Sequence, residues 1–234
     1  LLFGDNATAT LVHTISHYGG DALSAFFNST LLLRDSEVSF TNGRGVYMYP
    51  QGGDYTATLS LERSTIANNA SIGVYMLANI YNNGYGRNRL TITDSTIRNN
   101  GSHGIYVERT EEQLAITGTA FNDNGSYALN LANSPVNLDN LSGNSAAGNG
   151  SNVFHFSSVT FVGDALLNAD VVYYIENSSI PVGSTLTVQA GAVVKLGWQL
   201  DIEGALVTQG TAASPVYITS YKDDSVGGDS NGDG

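Results

Sequence analysis

The sequence contains no cysteine among its 234 residues. That absence excludes disulfides, thiol catalysis and cysteine-ligated zinc, and it leaves the redox compartment open. Cationic residues are also few, since 9 Lys and Arg stand against 21 Asp and Glu for a formal net charge of −12. A chain with this balance repels a phosphate backbone, so we expect no nucleic-acid partner.

Long hydrophobic runs are missing as well. No apolar stretch approaches the roughly 20 residues that a membrane-spanning helix needs, so we expect no membrane span. The opening stretch LLFGDNATAT lacks the charged region and cleavage site of a signal peptide. Because the chain begins without Met and ends in the polar run GGDSNGDG, we expect it to be part of a longer protein.

What the sequence does contain is a repeat. LSLERSTIANNASIGVYM and LTITDSTIRNNGSHGIYV share one pattern: an apolar residue, two spacers, Ser or Thr, a spacer, a second apolar residue, a small polar residue, and Gly or Ala before a third strand. Four copies begin at Leu33, Leu61, Ile92 and Ile116, between 24 and 31 residues apart. A weaker copy begins near Val136. This spacing is typical of a solenoid.

The repeat predicts an all-β fold, a right-handed parallel β-helix with three short strands per coil. Each segment alternates with period two, the corners are rich in Asn, Gly and Ser, and no room is left for a crossover helix. Coils that pair about 4.8 Å apart stack like residues in columns. The apolar columns then fill the bore, and an Asn column formed by Asn69, Asn100 and Asn124 bonds along one corner.

The remaining segments fit the same coil. STLTVQAGAVVKLG and the strands after it continue in a second pattern with Gly corners, and Leu11 and Ile15 mark a further coil upstream. We therefore predict one β-helix over residues 1–220, with the main repeats at about 30–158 and the second set of coils at about 159–220. Residues 221–234 form an acidic, calcium-loop-like segment that leads into a next unit.

These copies resemble the right-handed β-helix repeats of pectate-lyase-like proteins, over about residues 10–158. The segment from IPVGSTLTVQAGAVVKLG to DSNGDG resembles a module of large secreted or surface proteins of bacteria and archaea. The resemblance implies an extracellular or cell-surface location and neighbouring β-helical units. It does not specify a function, because β-helices host lyases, hydrolases, epimerases, adhesins and inert fibres.

One constellation could carry chemistry. Asp35, Arg63 and Asp94 occupy the same position in successive copies, so Arg63 is expected between two carboxylates. A polysaccharide lyase uses acidic residues to hold calcium and a basic residue to take a proton. The other interpretation is a surface ion ladder. We favour the ladder, because Arg stays protonated and neither Lys195 nor Lys222 lies in the four copies.

The four histidines do not predict a metal site. His13 and His17 would be separated by about 13 Å of extended strand, too far to share one ion. His103 and His155 are expected to stand alone at corners.

Tyrosines offer a better candidate surface. Because Val74 and Met76 and their equivalents point inward, Tyr47, Tyr75 and Tyr106 must point outward in one exposed column. Such rings can bind sugars or neighbouring chains, or they can simply pack across strands. The inserts that follow add Tyr49, Tyr55, Tyr81 and Tyr85 at the same edge.

The tail predicts a calcium site. Asp229, Asn231 and Asp233 alternate in DSNGDG, which matches the first half of a calcium loop, and Asp224 or Asp223 could add a ligand. A solvated acidic linker is the alternative. We further expect residue 234 to be followed, in the parent protein, by a strand that completes the loop.

Together these features predict a non-catalytic structural or adhesive module of a large extracellular repeat protein or fibre, with calcium as its cofactor. Its partners would be neighbouring β-helical units, a homo-oligomeric filament, or glycans. The alternatives are a polysaccharide lyase or another carbohydrate-active β-helix enzyme, and a carbohydrate-binding module without chemistry.

Overall fold

The chain folds into β-strands that repeat in a fixed order. The computed structural model describes residues 1–50, 55–78, 80–81 and 84–233, and for residues 80, 81, 84, 85, 111–113 and 139 it describes the backbone alone. Within these ranges there are thirty strands and no helix. Apart from the short antiparallel hairpin of β11 (Ile80–Tyr81) and β12 (Gly84–Tyr85), the strands pair in parallel.

The strands form four parallel sheets. The first sheet has ten strands, in the order β1 (Leu2–Phe3), β4 (Leu23–Phe26), β7 (Val46–Tyr49), β10 (Val74–Leu77), β15 (Ile105–Glu108), β18 (Tyr127–Ala132), β21 (Ser151–Ser157), β24 (Val172–Glu176), β27 (Val193–Leu196) and β30 (Tyr217–Ser220). The second has nine, β2 (Thr8–Val12), β5 (Thr30–Arg34), β8 (Thr56–Glu62), β13 (Arg87–Thr93), β16 (Thr110–Thr117), β19 (Pro135–Ser142), β22 (Thr160–Phe161), β25 (Ser178–Ile180) and β28 (Leu200–Ile202). The third has six, β3 (Ile15–His17), β6 (Glu37–Ser39), β9 (Thr65–Ala67), β14 (Thr96–Arg98), β17 (Ala120–Asn122) and β20 (Ser145–Ala147). The fourth has three, β23 (Asp164–Leu167), β26 (Thr185–Val188) and β29 (Ala205–Thr208).

The chain visits these sheets in rotation. Up to β20 it passes from the first sheet to the second, then to the third, and back to the first. Beyond β20 the fourth sheet takes the place of the third. Each strand therefore pairs with the strand one turn later, as β10 does with β15 and β13 with β16. The molecule is a parallel β-solenoid with three strands per coil, and the predicted fold is confirmed.

The apolar columns of the repeat fill the bore. Val38, Ile66, Ile97 and Phe121 are directly paired from coil to coil, and none is more than 1% exposed. The residues in the column that opens the third strand must be small, because a Cβ on Gly73 would lie 2.6 Å from the carbonyl oxygen of Gly104 in the next coil. The pattern's Gly and Ala therefore allow adjacent coils to approach.

Sharp corners are made by single left-handed residues. The backbone turns with positive φ after the second sheet at His13, Asp35, Arg63 and Asp94, after the third at Tyr18, Phe40, Asn68, Asn99 and Asp123, and after the first at Phe27, Arg109, Asn133, Ser158 and Asn177. Asn and Asp tolerate this conformation best, whereas bulky side chains are disfavoured there. The aromatic residues in these columns are therefore unusual.

The predicted Asn column forms a buried ladder of amides. Asn69 Nδ2 donates to Asn100 Oδ1 (2.8 Å), Asn100 Nδ2 to Asn124 Oδ1 (2.9 Å), and Asn124 Nδ2 to Asn149 Oδ1 (2.8 Å). Each Oδ1 also accepts the backbone N–H of the preceding Asn. The ladder satisfies buried polar groups that would otherwise each cost about 1–3 kcal/mol.

The expected coil at Leu11 and Ile15 is present as β2 and β3, and in it Ile15 lies outside the bore. Ile15 points outward, pairs with Glu37 and is 68% exposed, while Ser16 pairs with the buried Val38. The reason is register, since Thr14 takes the Ser/Thr position and donates its backbone N–H to Ser36 Oγ. A one-residue shift exchanges the two faces of a strand.

Candidate functional site

The outer face of the first sheet carries the predicted tyrosine column. Tyr47, Tyr75 and Tyr106 pair in register on β7, β10 and β15. Their ring centroids lie 5.5 Å apart for Tyr47 and Tyr75 and 5.3 Å apart for Tyr75 and Tyr106. The inward neighbours Val74 and Met76 are fully buried. The column is thus real, although its rings are half-buried rather than exposed.

An arginine covers one end of this column. The Arg44 guanidinium lies 3.6 Å from the ring centroid of Tyr47 and 5.3 Å from that of Tyr75. Arg44 Nη2 also pairs with Asp21 Oδ2 at 2.7 Å, and its Nε donates to Asp21 Oδ1 at 3.0 Å. The cation is therefore held flat against the rings and neutralised by a carboxylate.

Ring contacts extend the column along the sheet. The series begins where the Phe26 ring contacts Tyr47, with 6.0 Å between the ring centroids. Beyond Tyr106 it continues ring by ring, and the centroid distance from each ring to the one before it is 5.8 Å for His103, 5.5 Å for Tyr127, 4.6 Å for His155, 4.4 Å for Tyr174 and 4.4 Å for Tyr221. We call this series the aromatic ladder. Tyr49 stacks beside Tyr47, Tyr55 packs on Phe27, and the side chains of Tyr81 and Tyr85 lie outside the described part.

The expectation that His155 stands alone at a corner is wrong. His155 lies within β21, is 7% exposed, and is enclosed between the rings of Tyr127 and Tyr174. Its Nε2 is 3.4 Å from Glu176 Oε2, too long for a strong hydrogen bond. The alternation of VFHFSS and VVYYIE, aligned with GIYV, could have placed His155 and Tyr174 in the outward column.

The acidic tail turns back over the same face. The Lys195 side chain is fully buried, and its Nζ donates to the carbonyl oxygens of Asp223 (2.8 Å) and Gly228 (2.5 Å). Ser151 Oγ donates to Ser230 O at 2.7 Å, which ties the tail to β21. Residues 221–233, here called the strap, therefore cover the part of the sheet that carries Tyr174 and Lys195.

Three carboxylates of the strap converge. One ligand atom each from Asp224, Asp229 and Asp233 lies within 4.8 Å of the others. Asp224 Oδ1 is shielded from solvent and has no hydrogen-bond partner. Burial and the charges of Asp229 and Asp233 raise the pKa of Asp224. Asn231 Nδ2 donates to Asp233 Oδ2 at 2.6 Å. This oxygen-rich cluster fits a hard cation such as calcium.

Two of the candidate lyase residues, Arg63 and Asp35, form a surface ion pair. Arg63 makes a bidentate contact with Asp35, with Nε–Oδ1 at 2.7 Å and Nη2–Oδ2 at 2.8 Å. The Arg63 side chain is half exposed. A parallel pair, Arg34 Nε with Glu62 Oε2 at 2.6 Å, lies next to it. Both pairs belong to the second sheet and its corner, away from the aromatic ladder.

The parallel coils, their asparagine ladder and their aromatic outer face define a β-helix protein. Residues 3–166 match the family described as the right handed beta helix region, and the chain belongs to that family. No match was found among curated proteins. Among solved structures the chain is similar to the crystal structure of a TibC-catalysed, hyper-glycosylated TibA fragment, at 13% identity over 94% of this chain and 100% of that one, with a TM-score of 0.25. In the described ranges no helix is long and apolar enough to cross a membrane.

Acid should destabilise the protein through two histidines of the ladder, the buried His155 and the half-buried His103. Burial lowers the pKa of His155, against a weaker opposing effect of Glu176, and burial also lowers the pKa of His103, helped by His155. The unfolded chain then binds protons more readily than the folded one. Stability from these residues is complete above the unfolded pKa of about 6.5 and declines as the pH falls below it.

Thermal unfolding between pH 8 and pH 5.5 measures this effect. The midpoint should fall with acid in the wild type and fall less in a His103→Phe/His155→Phe variant, which keeps the ring contacts. His13→Asn, a change at an exposed left-handed corner, should behave like the wild type. An equal acid response in the double Phe variant would show that these histidines are not responsible.

Proposed function

We propose that the chain is a non-catalytic β-helical module of a large extracellular or cell-surface protein, where it serves as a stalk, fibre subunit or adhesive surface. The aromatic ladder carries this proposal, because it gives one face a continuous series of rings suited to stacking with a glycan or another chain. The location rests on the resemblance of the segment from IPVGSTLTVQAGAVVKLG to DSNGDG to a module of large secreted or surface proteins. We propose the whole solenoid, residues 1–220, as one unit.

The side chains in and beside the aromatic ladder are suited to binding by contact rather than to catalysis. Burial raises the pKa of Tyr47, Tyr75 and Tyr106, so these phenols stay protonated at neutral pH and cannot act as bases. Arg44 is occupied by Asp21, and Lys195 is buried beneath the strap. A general base must reach a substrate proton directly or through one water, which none of these groups is arranged to do.

Neighbouring β-helical units are the proposed partners at the solenoid's end. The strands β28, β29 and β30 lie at the edges of their sheets. They expose Ile202 (49%), Val207 (42%) and Ile218 (44%). Edge strands with apolar side chains favour pairing with another strand, so a stacked coil would cover both the backbone groups and these side chains.

Removing the tyrosine rings tests the adhesive surface. In affinity electrophoresis through a panel of immobilised polysaccharides, the wild-type protein should be retarded. A Tyr47→Ala/Tyr75→Ala/Tyr106→Ala variant should bind at least tenfold more weakly. The magnitude is taken from nucleic-acid complexes, where the loss of one aromatic ring stacked on a base costs about 1–3 kcal/mol. Thr91→Ala, on the outer face of the second sheet, should bind normally. Full affinity in the triple variant would show that the face is wrongly assigned, and no retardation of the wild type would remove the adhesive role.

We also propose that calcium binds the strap through Asp224, Asp229, Asp233 and Asn231. Calorimetry should show binding by the wild type and none by Asp224→Asn/Asp229→Asn, because the double change removes two of the three negative charges that attract the cation. Calcium at 100 times its Kd should stabilise the folded strap by about 2.7 kcal/mol. Asp164→Asn, an exposed carboxylate on β23, is the matched control. Unchanged binding by the double variant would contradict this site.

A further inference from the structure

A second aromatic surface lies on another side of the solenoid, at the corner after the third sheet. One left-handed residue makes this corner in successive coils, with φ of 62° at Tyr18, 59° at Phe40, 56° at Asn68 and 53° at Asn99. Asn is favoured in this conformation and aromatic residues are not. In two coils an aromatic residue therefore occupies a corner position that suits Asn better. Backbone strain of this kind is concentrated at functional sites.

The two rings form an ordered, exposed platform. Tyr18 is 72% and Phe40 is 44% exposed. Their centroids are 5.9 Å apart with an interplanar angle of 26°. The His17 ring packs edge-on against both, at 5.9 Å from Tyr18 and 5.4 Å from Phe40, and His17 Nε2 is held by Glu37 Oε1 at 3.2 Å. The platform is thus fixed in orientation while its faces remain open to solvent.

Amide side chains continue the platform along the solenoid. An open groove of about 470 Å³ runs from the two rings past Asn42, Asn68 and Asn99. Within the described ranges these three side-chain amides have no hydrogen-bond partner in the chain, and no charged residue lines the groove. The groove therefore offers stacking surface at one end and neutral donors and acceptors along the rest.

We propose that this groove binds a neutral glycan. Aromatic rings stack on the apolar face of a sugar, and amides can both donate to and accept from its hydroxyls. A stable protein interface uses about 20–30 residues on each side, whereas nine of the described residues line this groove. A chain of net charge −12 disfavours acidic glycans in a groove without cations. The site is separate from the aromatic ladder and does not depend on it.

Titration calorimetry with neutral hexasaccharides tests the proposal on the full chain. The probes are cellohexaose, laminarihexaose and mannohexaose, with hexagalacturonate as the charged counterpart. At least one neutral probe should bind more tightly than hexagalacturonate. A Tyr18→Asn/Phe40→Asn variant should lose at least tenfold in affinity while its thermal midpoint stays equal or rises, because Asn suits the left-handed corner. Thr91→Ala, on the outer face of the second sheet, should bind these probes as the wild type does.

Three results would overturn the proposal. They are no binding of any neutral hexasaccharide, tighter binding of hexagalacturonate, and unchanged affinity in the double Asn variant. Concentration-dependent dimerisation lost in that variant, without glycan binding, would instead identify the rings as a contact between copies. Loss of binding in the triple Tyr variant alone would move the neutral-glycan site to the aromatic ladder.

Discussion

Replacing Ile97 by Asp should lower the free energy of unfolding by about 4 kcal/mol or more, because it places an unpaired carboxyl group in the bore. Ile97 is fully buried between Ile66 and Phe121, its register partners in the adjacent coils. No cation is available there, so the group must either remain uncompensated or take up a proton. Since each coil contacts only its neighbours, loss of structure should be greatest in β9, β14 and β17. Urea denaturation with hydrogen exchange measures both effects.

Thr96 provides the matched control for Ile97. It lies next to Ile97 on β14, points outward and is half-buried between Thr65 and Ala120. Thr96→Asp introduces the same charge on the solvent side and should cost less than about 1 kcal/mol. Similar losses in the two variants would contradict the assignment of inner and outer faces.

Replacing Asn100 by Leu should also cost several kcal/mol, although it adds apolar bulk. Asn100 Oδ1 accepts the backbone N–H and the Nδ2 of Asn69, and Asn100 Nδ2 donates to Ile66 O and Asn124 Oδ1. Leu leaves these buried partners unsatisfied, at about 1–3 kcal/mol each, so we expect a loss of about 3 kcal/mol or more in urea denaturation.

Asn99 is the control for this buried ladder. It precedes Asn100, is exposed and has a φ of 53°. Asn99→Gly keeps the left-handed corner accessible and should change stability by less than about 1 kcal/mol. An equal loss at both positions would mean that the stability resides in corner conformation rather than in the ladder.

The sequence repeat predicts the coil because residues at the same position in successive copies stack on one another. Once the copies are aligned, Val38, Ile66, Ile97 and Phe121 must share a column, and the Asn ladder follows from the same alignment. The outward tyrosines follow from the alternation of β-strands. The outward direction of Ile15 does not follow from this reasoning, because only the Thr14 position reveals the one-residue shift.

The rest of the candidate site depends on contacts that no local pattern specifies. Ser151 bonds to Ser230, 79 residues away, and Lys195 reaches Asp223 and Gly228. These contacts fold the strap onto the first sheet and enclose Tyr174, whereas the DSNGDG pattern alone predicted ligand types without a location. The continuation of the chain into a next unit, the calcium and the domain bounds stay predictions.

We propose that this β-helix acts by contact and not by turnover. The most direct test is mass spectrometry of polygalacturonate and alginate oligosaccharides recovered after prolonged incubation with the protein and calcium. The recovered glycans should have unchanged masses. Shortened glycans of any kind would contradict this proposal, and unsaturated products that disappear with Arg63→Ala or Asp94→Ala would establish a lyase.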